Sequence, residues 1–193
     1  SGNFITAKPL GVLDGTDMQL TGEVRRVDTD AIHQRLDDGD IVLISPLGYS
    51  PTGELFNLAL EEVAMQVSVR LKAHKLVFLM ENDGVRNGRK RLLTDLSTRD
   101  AEALLAAPGK LSPDVRHYLP CAIRACDNGV VRAHLLSRHM DGALLLEFFT
   151  RDGVGTMVAS SPLAHLRSAT IDDVLGIISI IEPLEEQGVL VRR

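Results

Sequence analysis

The chain has 193 residues, 45% of them hydrophobic and 24% charged, which is the composition of an ordinary globular protein with a sizeable core. A net charge of −5, the absence of Trp and the low number of Tyr and Phe exclude the basic or aromatic surface that nucleic-acid binding needs. Two cysteines are too few for a disulfide framework, and neither a signal peptide nor an apolar run of membrane-spanning length is found. We therefore expect a cytoplasmic protein that binds neither nucleic acid nor membrane.

The first quarter of the chain is predicted to contain three strands and one helix. In chain order these are a strand over Asn3–Ala7, a return strand over Glu23–Val27, a helix over Asp30–Leu36 and a strand over Ile41–Ser45. Turn residues at Asp14-Gly15 predict a hairpin-like excursion between the first two strands. Because Ile41–Ser45 is continuously apolar, it is typical of a fully buried parallel strand.

The central part alternates helices with buried strands. The predicted elements are a helix over Leu58–Ala73, a strand over Leu76–Met80, a helix from Ser97 or Thr98 to Leu105, a helix over Pro113–Cys126 and a strand over Val130–Leu136. This alternation predicts an α/β fold with a three-layer, mostly parallel sheet. Ligands bind such sheets at the carboxyl ends of the strands, so the loops after Ser45, Met80 and Leu136 are the expected functional rim.

The last part of the chain changes in character. A helical run over Ala143–Phe149 is followed by a linker over Ala159–Leu163, a short strand over His165–Ala169 and an amphipathic helix over Val174–Glu185. A lone strand and helix cannot bury their own apolar faces. They are interpreted as the opening unit of a second domain.

The segment Ala133–Val158 carries the residues most typical of a binding site. Glu147 is flanked in sequence by large apolar residues, and a carboxylate buried among them needs a cation or several hydrogen-bond donors. Gly153 and Gly155 follow, and glycines allow backbone N–H groups to approach a ligand closely. The pattern predicts a pocket for a small cationic molecule that also carries a carboxylate, such as a free amino acid.

Each candidate residue also has a purely structural interpretation. His134, on a buried strand, is either a core histidine or a ligand contact. Glu147 is either buried or part of the first turn of an exposed helix. Lys75 stands after a helix, where a cation complements the helix dipole, and Gly153 and Gly155 are common turn residues. The residues alone leave these alternatives open, and no catalytic signature is recognised among them.

Five stretches together resemble the amino-acid kinase superfamily and, within it, the bacterial N-acetylglutamate synthases. They read GNFITAKPLGVLDGTD, TGEVRRVD, IVLISPLGYSPTGELFNL, GALLLEFFTRDGVGT and LRSATIDDVLGIISIIEPLEEQGVLVRR. The resemblance implies an internal fragment: an amino-acid kinase-like, arginine-sensing domain over residues 1–158, a linker over 159–164 and the first strand and helix of a GNAT-type acetyltransferase domain over 165–193.

The resemblance also implies roles for individual residues. L-Arginine, the feedback inhibitor in this family, would be bound by Lys75, His134, Glu147, Gly153 and Gly155. Glu147 would pair bidentately with the guanidinium group, and Lys75 would bind the α-carboxylate. The catalytic lysine of the kinases aligns with Tyr118, and without that cation we expect no phosphoryl transfer.

The chemistry implied by the resemblance is acetyl transfer from acetyl-CoA to L-glutamate in arginine biosynthesis, without a metal and in a homo-oligomer, a hexamer in this family. Arg193 is the one residue expected to contact glutamate, and no catalytic residue is expected within this chain. The chain alone is therefore expected to be inactive. Two alternatives stay open, an acetylglutamate kinase and a non-catalytic regulatory module that binds an amino acid.

Overall fold

Within residues 3–107, 111–150, 153–160 and 170–186, which a computed structural model of the chain describes, the strands form two four-stranded sheets and one two-stranded ribbon. The elements up to residue 70 are β1 (Ile5–Pro9), β2 (Val12–Leu13), β3 (Thr16–Asp17), β4 (Gly22–Val27), α1 (Thr29–Asp37), β5 (Leu47–Tyr49), β6 (Leu55–Asn57) and α2 (Leu60–Arg70). The elements after it are β7 (Lys75–Met80), β8 (Asp95–Ser97), α3 (Thr98–Ala106), α4 (Pro113–Asp127), β9 (Arg132–Ser137), α5 (Ala143–Phe149), β10 (Thr156–Ala159), a 3₁₀ turn (Ile171–Asp173) and α6 (Val174–Glu186). The chain divides into two compact units, Ser1–Leu163 and Ala164–Arg193.

The first sheet has the strand order β4-β1-β5-β6. Strand β1 is antiparallel to β4 and parallel to β5, and β6 is antiparallel to β5. Its inner face carries Ile5, Ala7 and Phe56, which pack with Ile32 of α1 and Val63 of α2 in one buried cluster. The predicted strands at both ends of the excursion are confirmed, and Asp14 and Gly15 form its turn with φ values of 49° and 79°.

The second sheet has the order β7-β9-β10-β8. Strands β7 and β9 are parallel over six residue pairs, β10 is antiparallel to β9, and β8 is parallel to β10. Its buried cluster includes Phe78 and Leu135 of the sheet together with Leu119 and Ala122 of α4. The α/β class is confirmed, and both four-stranded sheets combine parallel and antiparallel pairs.

A buried hydroxyl links the start of strand β10 to the loop after β7. The Oγ1 atom of Thr156 accepts a hydrogen bond from the N–H of Val85 at 2.8 Å and donates one to the carbonyl of Leu93 at 2.6 Å. Thr156 is fully buried, so these two bonds satisfy a group that is costly to bury without partners. They fasten the loop after β7 to the start of β10.

The prediction of a buried strand over Ile41–Ser45 is wrong. The segment is irregular, and the next strand begins only at Leu47. Val42 and Ile44 pack against the first cluster, whereas Ile41 is 97% exposed and Leu43 is 76% exposed. An apolar run becomes a strand only where neighbouring strands accept and donate its backbone hydrogen bonds, and within the described residues this segment has no such neighbour.

The described part of the second unit is helical. Thr170 caps the 3₁₀ turn, since its N–H donates to the Oδ2 atom of Asp173 at 2.8 Å, and α6 follows directly. The helix predicted over Val174–Glu185 is thereby confirmed, while the strand predicted over His165–Ala169 lies outside the described residues. No described helix has the length and apolar character needed to span a membrane.

Candidate functional site

The second sheet presents two chemically different faces. Side chains alternate along a strand, so Phe78 and Leu135 point into the core with α4 while His134 points to the opposite face. In the strand register, His134 lies between Val77 of β7 and Met157 of β10. Helix α5 contacts β9, and its Glu147 meets the same histidine.

His134 and Glu147 form a buried pair. The Nδ1 atom of His134 lies 2.7 Å from the Oε1 atom of Glu147, and only 5% of each side chain is exposed. The Oε2 atom accepts hydrogen bonds from the backbone N–H groups of Val154, at 2.8 Å, and Gly155, at 3.1 Å. Three donors therefore stabilise a carboxylate that would otherwise be costly to bury.

The two glycines of the turn are required by this packing. Gly153 has a φ of +61°, and a Cβ atom there would lie 2.7 Å from Glu147 Oε2. A Cβ atom on Gly155 would lie 2.3 Å from Leu136 Cδ2 and 2.4 Å from the carbonyl oxygen of Leu135. Any larger residue at either position would push the turn away from the carboxylate.

The environment sets the protonation states of the pair. Burial lowers the pKa of His134, and this effect outweighs the opposing influence of the Glu147 carboxylate. Burial acts to raise the pKa of Glu147, but the Val154 N–H, His134 and the Gly155 N–H together hold that pKa below its usual value. The pair is therefore a carboxylate beside a neutral imidazole whose Nδ1–H donates to Oε1.

The other ring nitrogen of His134 has an unmet requirement. In the neutral tautomer that donates through Nδ1, Nε2 is a hydrogen-bond acceptor. It is buried and has no partner within the described parts of the chain. Buried polar atoms are nearly always satisfied, so this nitrogen is suited to receive a donor from a bound molecule.

A cavity of about 340 Å³ opens beside this ring. It is lined by Lys75, Thr94, Asp95, Arg132, His134, Glu147, Phe148, Thr150, Gly153, Gly155 and Met157. Two cations, Lys75 and Arg132, face two acids, Asp95 and Glu147, and the Lys75 ammonium lies 4.2 Å from the centre of the Phe148 ring. Balanced charges of both signs in a small cavity suit a zwitterion of amino-acid size.

The structure brings the predicted residues together. Lys75, His134, Glu147, Gly153 and Gly155 all line this one cavity, whereas Arg193 lies outside the described residues. The predicted position at the carboxyl ends of the strands is wrong for this cavity, because Lys75 and Arg132 are the first residues of β7 and β9. The cavity lies over the sheet face, beneath α5.

Two details of the expected chemistry also differ. Glu147 is not buried by its helical neighbours, since Leu145 is 65% exposed and Phe149 is 82% exposed; the sheet and the glycine turn bury it instead. Both carboxylate oxygens and the turn amides of Val154 and Gly155 already bond within the protein. Glu147 is thus not the open bidentate anchor that we expected.

Sequence reasoning missed four polar residues of the cavity, Thr94, Asp95, Arg132 and Thr150. Arg132 stands two positions before His134 on one strand, and the period of two would have placed both on the same face. Thr94 and Asp95 arrive with β8, a three-residue strand that carries no clear sequence signal. Its pairing to β10 brings Asp95 opposite Met157.

Tyr118, the residue that the sequence resemblance aligned with the kinase lysine, lies in an aromatic contact. The Tyr118 ring packs on Phe78 with ring centres 5.2 Å apart, and it also meets the edge of His117. Among the described residues, no group of three or more His, Cys, Asp or Glu side chains is arranged to hold a metal ion.

The Amino acid kinase family matches residues 2–137 of the chain. Similar curated proteins include the amino-acid acetyltransferase of Ectopseudomonas mendocina, 51% identical over 193 residues, and that of Escherichia coli K12, 46% identical over 196 residues. Each alignment covers 100% of this chain but 44% of the relative, so the chain spans less than half the length of the curated proteins it matches.

Two solved structures are similar to this chain to different degrees. N-acetylglutamate synthase from Neisseria gonorrhoeae, complexed with coenzyme A and L-arginine, is 39% identical with a TM-score of 0.82 over 100% of this chain and 44% of that chain. Carbamate kinase from Giardia lamblia is 14% identical with a TM-score of 0.53, over 72% of this chain and 46% of that one. The second likeness concerns the fold alone.

Proposed function

Since this chain belongs to the amino acid kinase family, we propose that it is the effector-sensing part of an N-acetylglutamate synthase and that its cavity binds L-arginine. The observation that carries the proposal is the cavity beside His134, which offers cations, acids and an unmet buried acceptor. The similar synthase from Neisseria gonorrhoeae is complexed with L-arginine and coenzyme A, which supports the choice of ligand.

The proposed site comprises the five predicted residues together with those found in the structure. Lys75 binds the α-carboxylate of arginine as a point charge. The acceptor Nε2 of His134 receives an N–H of the ligand, and Asp95 supplies an exposed negative charge at the cavity wall. Glu147 acts through His134, because its hydrogen bond fixes the tautomer that leaves Nε2 as an acceptor.

The activity of the whole protein is proposed to be acetyl transfer from acetyl-CoA to L-glutamate. The names of the curated relatives support acetyl transfer, and the synthase complexes with coenzyme A support the acetyl donor. We propose that the whole protein is cytoplasmic and works as a homo-oligomer, a hexamer by family resemblance. Phosphoryl transfer is disfavoured because the sequence resemblance aligns Tyr118, and not a lysine, with the catalytic lysine of the kinases.

The proposed domain division assigns residues 1–158 to the sensing domain, 159–164 to a linker and 165–193 to the start of a GNAT-type acetyltransferase domain. The family match over residues 2–137 and the division of the chain into units at Leu163 and Ala164 support it. Arg193 is proposed to contact glutamate.

Calorimetric titration of L-arginine into the full-length protein tests the proposal. We expect saturable binding that weakens at least about tenfold in Glu147→Gln, because the substitution removes a charge and the acceptor for His134. Glu102→Gln, an exposed change of the same type on α3, is the matched control and should bind like the parent. Equal affinity in the parent and Glu147→Gln, with both variants folded, contradicts the site.

A further inference from the structure

The first sheet carries a second polar cavity that the proposed function does not use. A cavity of about 360 Å³ is lined by Asn3, Thr6, Arg25, Arg26, Tyr49, Ser50 and Pro51. We propose that it is a binding site for a small oxyanion, with inorganic phosphate as its simplest form. The proposal rests on strand register, unpaired charge and hydroxyl groups.

A β-bulge creates the arginine pair. In the β1–β4 pairing, Thr6 lies opposite Arg26 but Ala7 lies opposite Val24, so Arg25 is an extra residue in β4. Without a bulge, two consecutive residues point to opposite faces of a sheet. The inserted residue changes this alternation, and both Arg25 and Arg26 reach one cavity. The β-bulge therefore allows two consecutive arginines, Arg25 and Arg26, to line the same cavity.

Strand register adds hydroxyl groups to the same place. Thr6 pairs with Arg26 on one side and with Tyr49 of β5 on the other. The three residues form a row across β4, β1 and β5, while the neighbouring Ser50 hydroxyl is bonded within its own turn to Thr52 and to the N–H of Glu54. Hydroxyl and guanidinium donors that converge in one concave surface match the oxygens of phosphate or of a dicarboxylate.

The charge of the arginines is uncompensated. Glu23, the carboxylate that precedes them on β4, is bonded to Lys8 at 2.7 Å. Neither Arg25 nor Arg26 forms an ion pair with any residue that the structure describes. In a protein with a net charge of −5, two adjacent arginines without a carboxylate are available for an external anion.

Calorimetric titration of inorganic phosphate into the full-length protein at low ionic strength tests this site. We expect one saturable site that is filled below about 10 mM phosphate. Arg25→Gln and Arg26→Gln should each weaken binding about tenfold or more, and Tyr49→Phe about threefold. Arg99→Gln removes the same charge from an exposed position on α3 and should leave the affinity unchanged.

The outcomes are distinct. Absence of saturation in the parent, or an equal loss of affinity in Arg25→Gln and Arg99→Gln, overturns the proposal, because the first denies a site and the second reduces it to general charge attraction. A parallel titration with malonate distinguishes the two sources of the oxyanion. Malonate binding that is tighter than phosphate binding, and is lost with the same arginines, supports the site and assigns it to dicarboxylates.

Discussion

At the scale of single residues, His134 and Glu147 show how one hydrogen bond determines the chemistry of a cavity. The carboxylate is saturated by protein donors, so its contribution to a ligand passes through the imidazole. His134 and Glu147 are 13 residues apart, and no sequence pattern at that spacing predicts that they pair. The sequence singled out Glu147 as an acid among apolar residues, whereas a binding role for His134 was predicted from the family resemblance.

The tautomer of His134 can be inverted by one substitution. In Glu147→Gln, the side-chain oxygen is expected to keep accepting the hydrogen bonds from the backbone N–H groups of Val154 and Gly155. The side-chain NH₂ group of the glutamine then faces Nδ1 of His134. The imidazole is then expected to accept through Nδ1 and to carry its proton on Nε2. Nitrogen-15 NMR of the histidine ring measures this exchange, and an unchanged Nδ1-protonated ring in the variant contradicts it.

The pair also makes the stability of the fold dependent on pH. The folded pKa of His134 is lowered, so below about pH 6.5 the unfolded chain takes up a proton that the folded chain does not, and stability falls. The lowered pKa of Glu147 adds a second loss below about pH 4.3. In urea unfolding measured between about pH 7.5 and pH 5, the midpoint concentration should fall as the pH falls. This pH dependence of the midpoint should be smaller in His134→Gln. The same pH dependence of the midpoint in the parent and in His134→Gln would contradict the contribution of His134 to the pH dependence of stability.

At the scale of secondary-structure elements, most segments of five or more residues with a clear hydrophobic pattern were predicted well, and strands of three or four residues were not. The helix over Pro113–Cys126 and the strand over Leu76–Met80 are found within one residue of their predicted ends. Strands β5, β6, β8 and β10 have three or four residues each and draw their pairing from neighbours that are distant in sequence. Ile41–Ser45 shows the converse, an apolar run without partners.

The glycine turn between α5 and β10 is expected to be intolerant of side chains. Gly155→Ala places a Cβ atom against the Leu135 carbonyl oxygen and Leu136 Cδ2, which forces the turn away from Glu147. We expect a loss of about 1–3 kcal/mol in the free energy of unfolding and weaker arginine binding. Gly88→Ala, where a Cβ atom meets nothing within 4 Å, is the control, with a change within about 0.5 kcal/mol. Chemical denaturation of both variants provides the comparison, and equal midpoints would contradict this account.

At the scale of the whole molecule, the fold belongs to a family named for kinases, whereas we propose that the cavity binds an effector. The chain belongs to the amino acid kinase family, and the sequence resemblance predicts that Tyr118, which packs on Phe78, replaces the kinase lysine. The cavity that does assemble is lined by charged side chains of both signs, and we proposed that it binds a small zwitterion. Sequence reasoning reached the fold through strand and helix alternation, but the position of the cavity beneath α5 needed the tertiary structure.

The 193-residue chain by itself is expected to lack acetyltransferase activity. It spans 44% of the length of its relatives, and the described part of its second unit is one 3₁₀ turn and one helix. Release of coenzyme A, measured with a thiol reagent, should not exceed the enzyme-free rate. Glutamate-dependent release above that rate would contradict the expectation.

The buried hydroxyl of Thr156 helps to fix the register of strand β10, although it does not line the cavity. Strand β10 has four residues, and a slip by one position would exchange its two faces. The slip would remove Met157 from the cavity and draw the glycine turn off Glu147. The hydrogen bonds of Thr156 to Val85 and Leu93 exist in one register only. A valine has nearly the same shape but would leave the Val85 N–H and the Leu93 carbonyl without these bonds. An oxygen atom outside the cavity therefore helps the pairing with β8 and β9 to fix which side chains line it.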